Sequence, residues 1–225
     1  MGIIESIESK YKTWKAKRAV KSAIKLVSDL YDINIPKEVY PKIEVEGLKK
    51  YSFSDLSEIM IKRATGGKVK EEIEKDFDFY EDGIIVYAAD PYGITVLKPC
   101  VYDPKSNTIH LREPYWEEAI VEEVTHFVRA YAIGYIGREV DPDEVSISEL
   151  LAEVTIQKIF KESIPRSFLV VEYDYAIKAG ELWKKGVDVF SELTSNVKPS
   201  DLIRMPAKEI EDNFISILNK YTEGK

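Results

Sequence analysis

Apolar residues recur at spacings of three and four from Trp116 to Tyr131, where Trp116, Ile120, Val124, Phe127 and Tyr131 mark one side of a helical period. Val121 and Val128 widen that side into a stripe that needs a core to cover it. The polar positions of the same segment are patterned too. Glu122 and His126 stand four apart and so share a face, one turn above the other, while Glu123 falls between that face and the stripe. Ala119 and Ala130 flank the region and put little bulk over it.

Elsewhere the pattern predicts more helix than strand. A long helix is expected from Gly2 to Tyr31, its stripe made by Ile4, Ile7, Tyr11, Trp14, Ile24, Val27 and Tyr31 and its end set by Asn34-Ile35-Pro36. Ser54 suits the N-cap of a short helix through Arg63, stopped by Gly66-Gly67, and Lys68 to Lys75 forms a further charged helical stretch. Ile84 to Tyr87, Ile94 to Leu97 and Thr108 to Leu111 read as short strands, separated by Asp90-Pro91-Tyr92-Gly93 and Asp103-Pro104-Lys105-Ser106-Asn107 as turns. Gly134 and Gly137 end the Trp116 helix, and a second helix runs from Ser146 to about Glu162. Ser167 to Trp183, Val187 to Leu193 and a final segment carrying Ile210, Phe214, Ile217 and Leu218 are also helical in pattern. The fold class is α+β, mainly helical, with a small antiparallel sheet packed on the Trp116 helix. Residues 1–66 form an N-terminal helical region and 67–225 the main domain, the two being compatible with one continuous domain. No repeat or low-complexity tract appears.

Composition narrows the function classes. At 225 residues and 44% apolar content the chain can bury one sizeable core. A net charge of −8 and a pI near 5.1 argue against nucleic acid or anionic membrane across the whole surface. The exception is the first helix, where Lys10, Lys12, Lys15, Lys17, Arg18, Lys21 and Lys25 make a basic middle. That face is either solvated beside a docked helix or an arm for phosphates or an acidic partner. No apolar run reaches a transmembrane span and Met1-Gly2-Ile3-Ile4 opens no signal peptide. A lone Cys100 excludes an internal disulfide, so a cytoplasmic location is expected. Gln157 is the sole glutamine among abundant Lys, Glu, Ile and Tyr, a usage familiar from hyperthermophiles and pointing to a hot-living archaeon or its virus.

The string Glu122-Glu123-Val124-Thr125-His126 resembles the H-E-x-x-H helix of the zincin metallopeptidases, with glutamate in place of the first histidine. Glu149-Leu150-Leu151-Ala152-Glu153 resembles the E-x-x-A-D/N segment of the gluzincin branch, at a separation from His126 that the branch allows. Together with the strand that precedes the helix, the resemblance covers about residues 94 to 162. It implies a zincin-like fold in which Glu122, His126 and Glu149 ligate one divalent metal and Glu123 is the general base. Glu153 would support a ligand from behind, and His110, on the strand Asn107 to Leu111, would line a cleft where peptide substrate pairs. Glutamate for histidine makes the donor set harder, favouring manganese or iron over zinc, and a more neutral centre activates water less. An active peptidase with a peptide or protein substrate and a non-catalytic binding module that holds no metal therefore both remain open.

The residues admit plainer roles as well. Ser146-x-x-Glu149 is a capping box in its own right, His110 suits a solvent-facing strand position, and Tyr173 or Tyr175 could donate to an oxyanion or simply pack. Glu123-Val124-Thr125-His126 also fits the E-x-x-H of helical di-metal carboxylate proteins. Those sites need a second such motif, and His110 lacks a glutamate three residues earlier.

Overall fold

A computed structural model describes residues 3–46, 49–52, 85–90, 93–97, 100–112, 116–163 and 174–222. The first element, α1 (Ile3–Tyr31), docks on the core through Ala16, Val20, Ala23, Ile24, Val27 and Tyr31, all buried. Ala16 and Ala23 put little side-chain bulk on that face. Tyr11 and Trp14, expected in the buried stripe, instead face solvent at 62% and 54% exposure. At 100° per residue they lie on the side of α1 opposite Val20 and Val27, so one helix cannot bury both sets.

A single 3₁₀ turn (Lys37–Val39) leads into β1 (Lys42–Glu46), followed by β2 (Lys49–Ser52), β3 (Ile85–Asp90), β4 (Gly93–Leu97), β5 (Val101–Asp103) and β6 (Thr108–Arg112). The three expected strands do not share one antiparallel sheet. β3 and β4 pair with β2 in an antiparallel sheet of their own, whereas β6 is the middle of a mixed sheet, parallel to β1 and antiparallel to β5. The β5–β6 turn is built as the sequence suggests. Asp103 Oδ1 accepts from the Lys105 N–H, and Asn107 takes the left-handed conformation its side chain tolerates, with φ 50°. The short helix expected at 54–63 and the charged stretch 68–75 lie outside the described residues.

Five helices and a short turn of helix complete the order: α2 (Glu117–Ile133), α3 (Pro142–Phe160), α4 (Asp174–Lys184), α5 (Val189–Leu193), α6 (Pro199–Leu202) and α7 (Ala207–Thr222). Mainly helical content with a small mixed sheet is an α+β architecture. α2 ends on Gly134 at φ 76°, the left-handed cap that glycine adopts without cost. α3 starts four residues before the expected Ser146, because Asp141 caps it by accepting from the Asp143 N–H and Pro142 fills the first helical position.

One apolar cluster joins α1, the inner face of the mixed sheet, α2, α3 and the C-terminal helices. Ile109 and Leu111 of β6 point into it, and Tyr102 of β5 sets its ring edge-on to Phe127 of α2. The N-terminal region thus contributes a helix and a strand to the same core as residues 101–222, and the division expected near residue 66 falls outside the described residues. Among the described residues no helix is long and apolar enough to cross a membrane.

Candidate metal centre

α2 and α3 run side by side, and a buried ion pair fixes their register. Arg129 of α2, 1% exposed, donates from Nε and Nη2 to the two carboxylate oxygens of Glu144 in the first turn of α3, at 2.6 and 2.8 Å. Its Nη1 donates to the carbonyls of Ile203 and Met205, at 2.6 and 2.8 Å. The planar guanidinium has donors enough to bridge a carboxylate and two carbonyls at once, which an ammonium could not do in one plane. Glu144 so held lies five residues before Glu149, and Arg129 three after His126.

With the helices in that register, Glu122 and His126 of α2 meet Glu149 of α3. One ligand atom from each of the three lies within 4.8 Å of the others. His126 Nε2 stands 3.4 Å from Glu149 Oε1, with the two side chains 15% and 14% exposed. His126 Nδ1 shares a 2.6 Å hydrogen bond with Ser148 Oγ, and Nε2 is turned toward Glu149. Because α3 starts at Pro142, Glu149 stands two turns inside the helix. The capping-box role is excluded, and its carboxylate faces the imidazole.

The electrostatics follow from three acids around one base. Burial alone would hold the His126 imidazole down. Glu149, by charge and by hydrogen bond, then Glu123 and Glu122 more than reverse this, and its pKa is pushed up to about 9. Burial pushes the Glu123 carboxyl well above the usual range, with Glu122 and Glu149 adding to it, against the opposing pull of His126 and the Tyr102 N–H.

The residues fit a cation. Two ligand atoms bound at roughly 2.1 Å to one ion stand about 3 Å apart at octahedral angles and about 3.4 Å apart at tetrahedral ones, and His126 Nε2 and Glu149 Oε1 are 3.4 Å apart. A metal-ligating imidazole has its second nitrogen held by a hydrogen bond, and here Nδ1 is held by Ser148. The three groups are close enough to hold a metal ion.

The remaining expected site residues are placed differently. Glu123 is 6% exposed, and its Oε2 accepts from the Tyr102 N–H at 2.6 Å, on the edge of β5 that faces away from β6. Glu153 is fully buried and accepts from Gln157 Nε2 at 2.8 Å and Ser163 Oγ at 2.6 Å; it is not one of the converging donors. His110 sits on the sheet face opposite Ile109 and Leu111, where its Nδ1 pairs with Glu44 Oε2 of β1 at 3.4 Å. It does not join the cluster on α2 and α3. Nor can β6 pair with an extended substrate, since β1 and β5 occupy both of its edges. Tyr175 donates to Glu211 of α7, and Tyr173 lies outside the described residues.

Ser148 and Arg129 are the contributors that sequence reading missed. A serine next to a ligand carries no signal, but a charged residue between Val128 and Ala130, at the margin of the stripe, was a legible sign of a buried pair. Comparison of the chain with family models, with curated proteins and with solved structures finds no match.

Proposed function

We propose that this chain is a degenerate zincin-like metallopeptidase scaffold that holds one divalent cation on Glu122, His126 and Glu149. The observation that carries the reading is the convergence of these three donors from two helices, with the imidazole oriented by Ser148. Two carboxylates and one imidazole favour manganese or iron(II) over zinc. When bound, such a cation supplies Lewis-acid chemistry, polarising a carbonyl and acidifying a water, and two anionic donors weaken that effect. With a cation bound, His126 would present Nε2 to it with Nδ1 beside Ser148, while Glu122 and Glu149 would supply compensating charge.

Two observations support a non-hydrolytic member of the class. Glu123, the residue in the general-base position, is buried and bonded to backbone through Oε2. The strand before the helix offers no edge for a peptide. The active-peptidase reading is favoured by the closeness of Glu123 to the three donors, which the electrostatics register.

Elemental analysis of protein purified without chelator tests the proposal. Stoichiometric manganese, iron or zinc, lost in H126A and E149Q, is expected; protein that takes up none of the three on titration overturns it. Peptide turnover by the metal-loaded protein, abolished in E123Q with metal retained, would establish the peptidase over the degenerate scaffold.

A further inference from the structure

The solvent face of α1 carries a feature that the metal centre does not use. Tyr11 and Trp14, 62% and 54% exposed, are stacked on each other with ring centroids 6.0 Å apart and planes inclined by 28°. Arg18 lies over the Trp14 ring, its guanidinium carbon 5.6 Å from the centroid. These residues lie one turn apart along a single stripe, with Lys15, Lys21 and Lys25 exposed beside it and Lys17 exposed at its margin. None of these four lysines makes an ion pair among the described residues. Between Lys10 and Lys25 there are seven cations and no acid, in a chain whose net charge is −8. The opposite face of α1 is anchored in the core, so the stripe is a rigid rail of about 20 Å, not a loose arm.

Exposed aromatics interleaved with cations match one class of ligand well. A single-stranded nucleic acid offers base faces to stack on Tyr11 and Trp14 and phosphates for the flanking lysines and Arg18. A duplex hides its base faces. An anionic bilayer needs a broad aliphatic face to insert, and among the described residues this stripe adds only Leu26 to the two rings. A purely acidic partner would leave the stacked rings without purpose. We propose that the Tyr11–Trp14–Arg18 stripe of α1 is a binding platform for single-stranded nucleic acid, with the bases stacked on the aromatic pair and the backbone tracked by Lys15, Lys21 and Lys25. The overall acidity of the rest of the surface confines polyanions to this rail.

The test is fluorescence anisotropy with a labelled oligothymidylate and the full chain, set against two variants and three other ligands. Binding at low salt is expected, weakened at least about fivefold in Y11A/W14A, the loss of one stacked base. In K15E/K21E the slope of log affinity against log salt should fall by about 1.4, two phosphate contacts fewer. All four positions are exposed, and circular dichroism checks that each variant keeps its helix. Duplex of the same length, polyglutamate and anionic phosphatidylserine vesicles should all bind more weakly than the oligonucleotide. Absence of oligonucleotide binding, equal affinity for polyglutamate or duplex, preference for the vesicles, or indifference to Y11A/W14A would each overturn the proposal.

Discussion

Arg129 and Glu144 face each other in the interior as a two-bonded pair, Nε to Oε1 at 2.6 Å and Nη2 to Oε2 at 2.8 Å, and between them they set how α2 lies on α3. The pair itself is a costly way to stabilise a fold, since both charges were taken out of water. Its value lies in allowing a single register. Arg129→Met leaves Glu144 buried and uncompensated and should cost roughly 3–5 kcal/mol, whereas Arg129→Met with Glu144→Leu should recover much of that loss. Urea unfolding of the three proteins measures it. Equal loss in single and double variants would show that the carbonyls of Ile203 and Met205, not Glu144, are what Arg129 serves.

Ser148 is not one of the three converging donors, yet its hydroxyl holds His126 Nδ1 and leaves Nε2 toward Glu149. Ser148→Ala should therefore lower the affinity for manganese or iron(II) by about 10- to 100-fold while leaving the number of sites at one. Titration calorimetry separates the two quantities. Unchanged affinity would mean that His126 is oriented by packing alone.

Gly180 in α4 has no room for a side chain. A Cβ there would stand 2.7 Å from Ser163 Oγ, the hydroxyl that donates to the fully buried Glu153. Gly180→Ala gains helix propensity but displaces that hydroxyl, and a buried carboxylate short of a donor costs about 1–3 kcal/mol. Net destabilisation is expected from thermal unfolding. A more stable variant would show that Ser163 yields freely.

The Tyr31 hydroxyl meets Thr155 Oγ1 at 2.9 Å in the core, and burial pushes its pKa well above the ordinary phenol value, against the weaker opposing effects of Thr155 and Arg129. The sign is that of a raised group. Its contribution is intact below about pH 10, where the unfolded phenol titrates, and is lost as pH climbs beyond that. Tyr31→Phe should cost about 1 kcal/mol at neutral pH and lose less stability than the natural chain between pH 9 and pH 11. Tyr102, whose phenol burial likewise raises, keeps some alkaline sensitivity in the variant. Parallel pH dependence in the two proteins would refute the assignment.

Helical period made α2 legible from its sequence, and with it the shared face of Glu122 and His126. The E-x-x-A-E spacing led to Glu149 although the predicted helix start was four residues late. That error came from reading Ser146 as a cap when Asp141-Pro142 supplied a better one. The sheet was less legible, because a parallel partner from residues 42–46 leaves no hairpin signal beside Thr108–Arg112. The same alternation that put Ile109 and Leu111 in the core placed His110 on the other face, the strand position that the pattern offered beside the cleft-lining role of the family resemblance. Tyr11 and Trp14 misled for a simple reason: both faces of α1 carry large apolar side chains, and only tertiary packing decides between them.

The three donor side chains, the serine behind the imidazole and the ion pair all belong to α2 and α3, neighbours in the chain joined by one short connection. Their mutual contacts are therefore short-range in sequence, whereas β6 must find β1 across more than sixty residues. Contacts of low order form first. The hairpin of α2 and α3 is accordingly expected to dock before the mixed sheet closes, so that a cation captured early would act as a folding nucleus, and its presence would be read in the refolding rate as well as in the final stability.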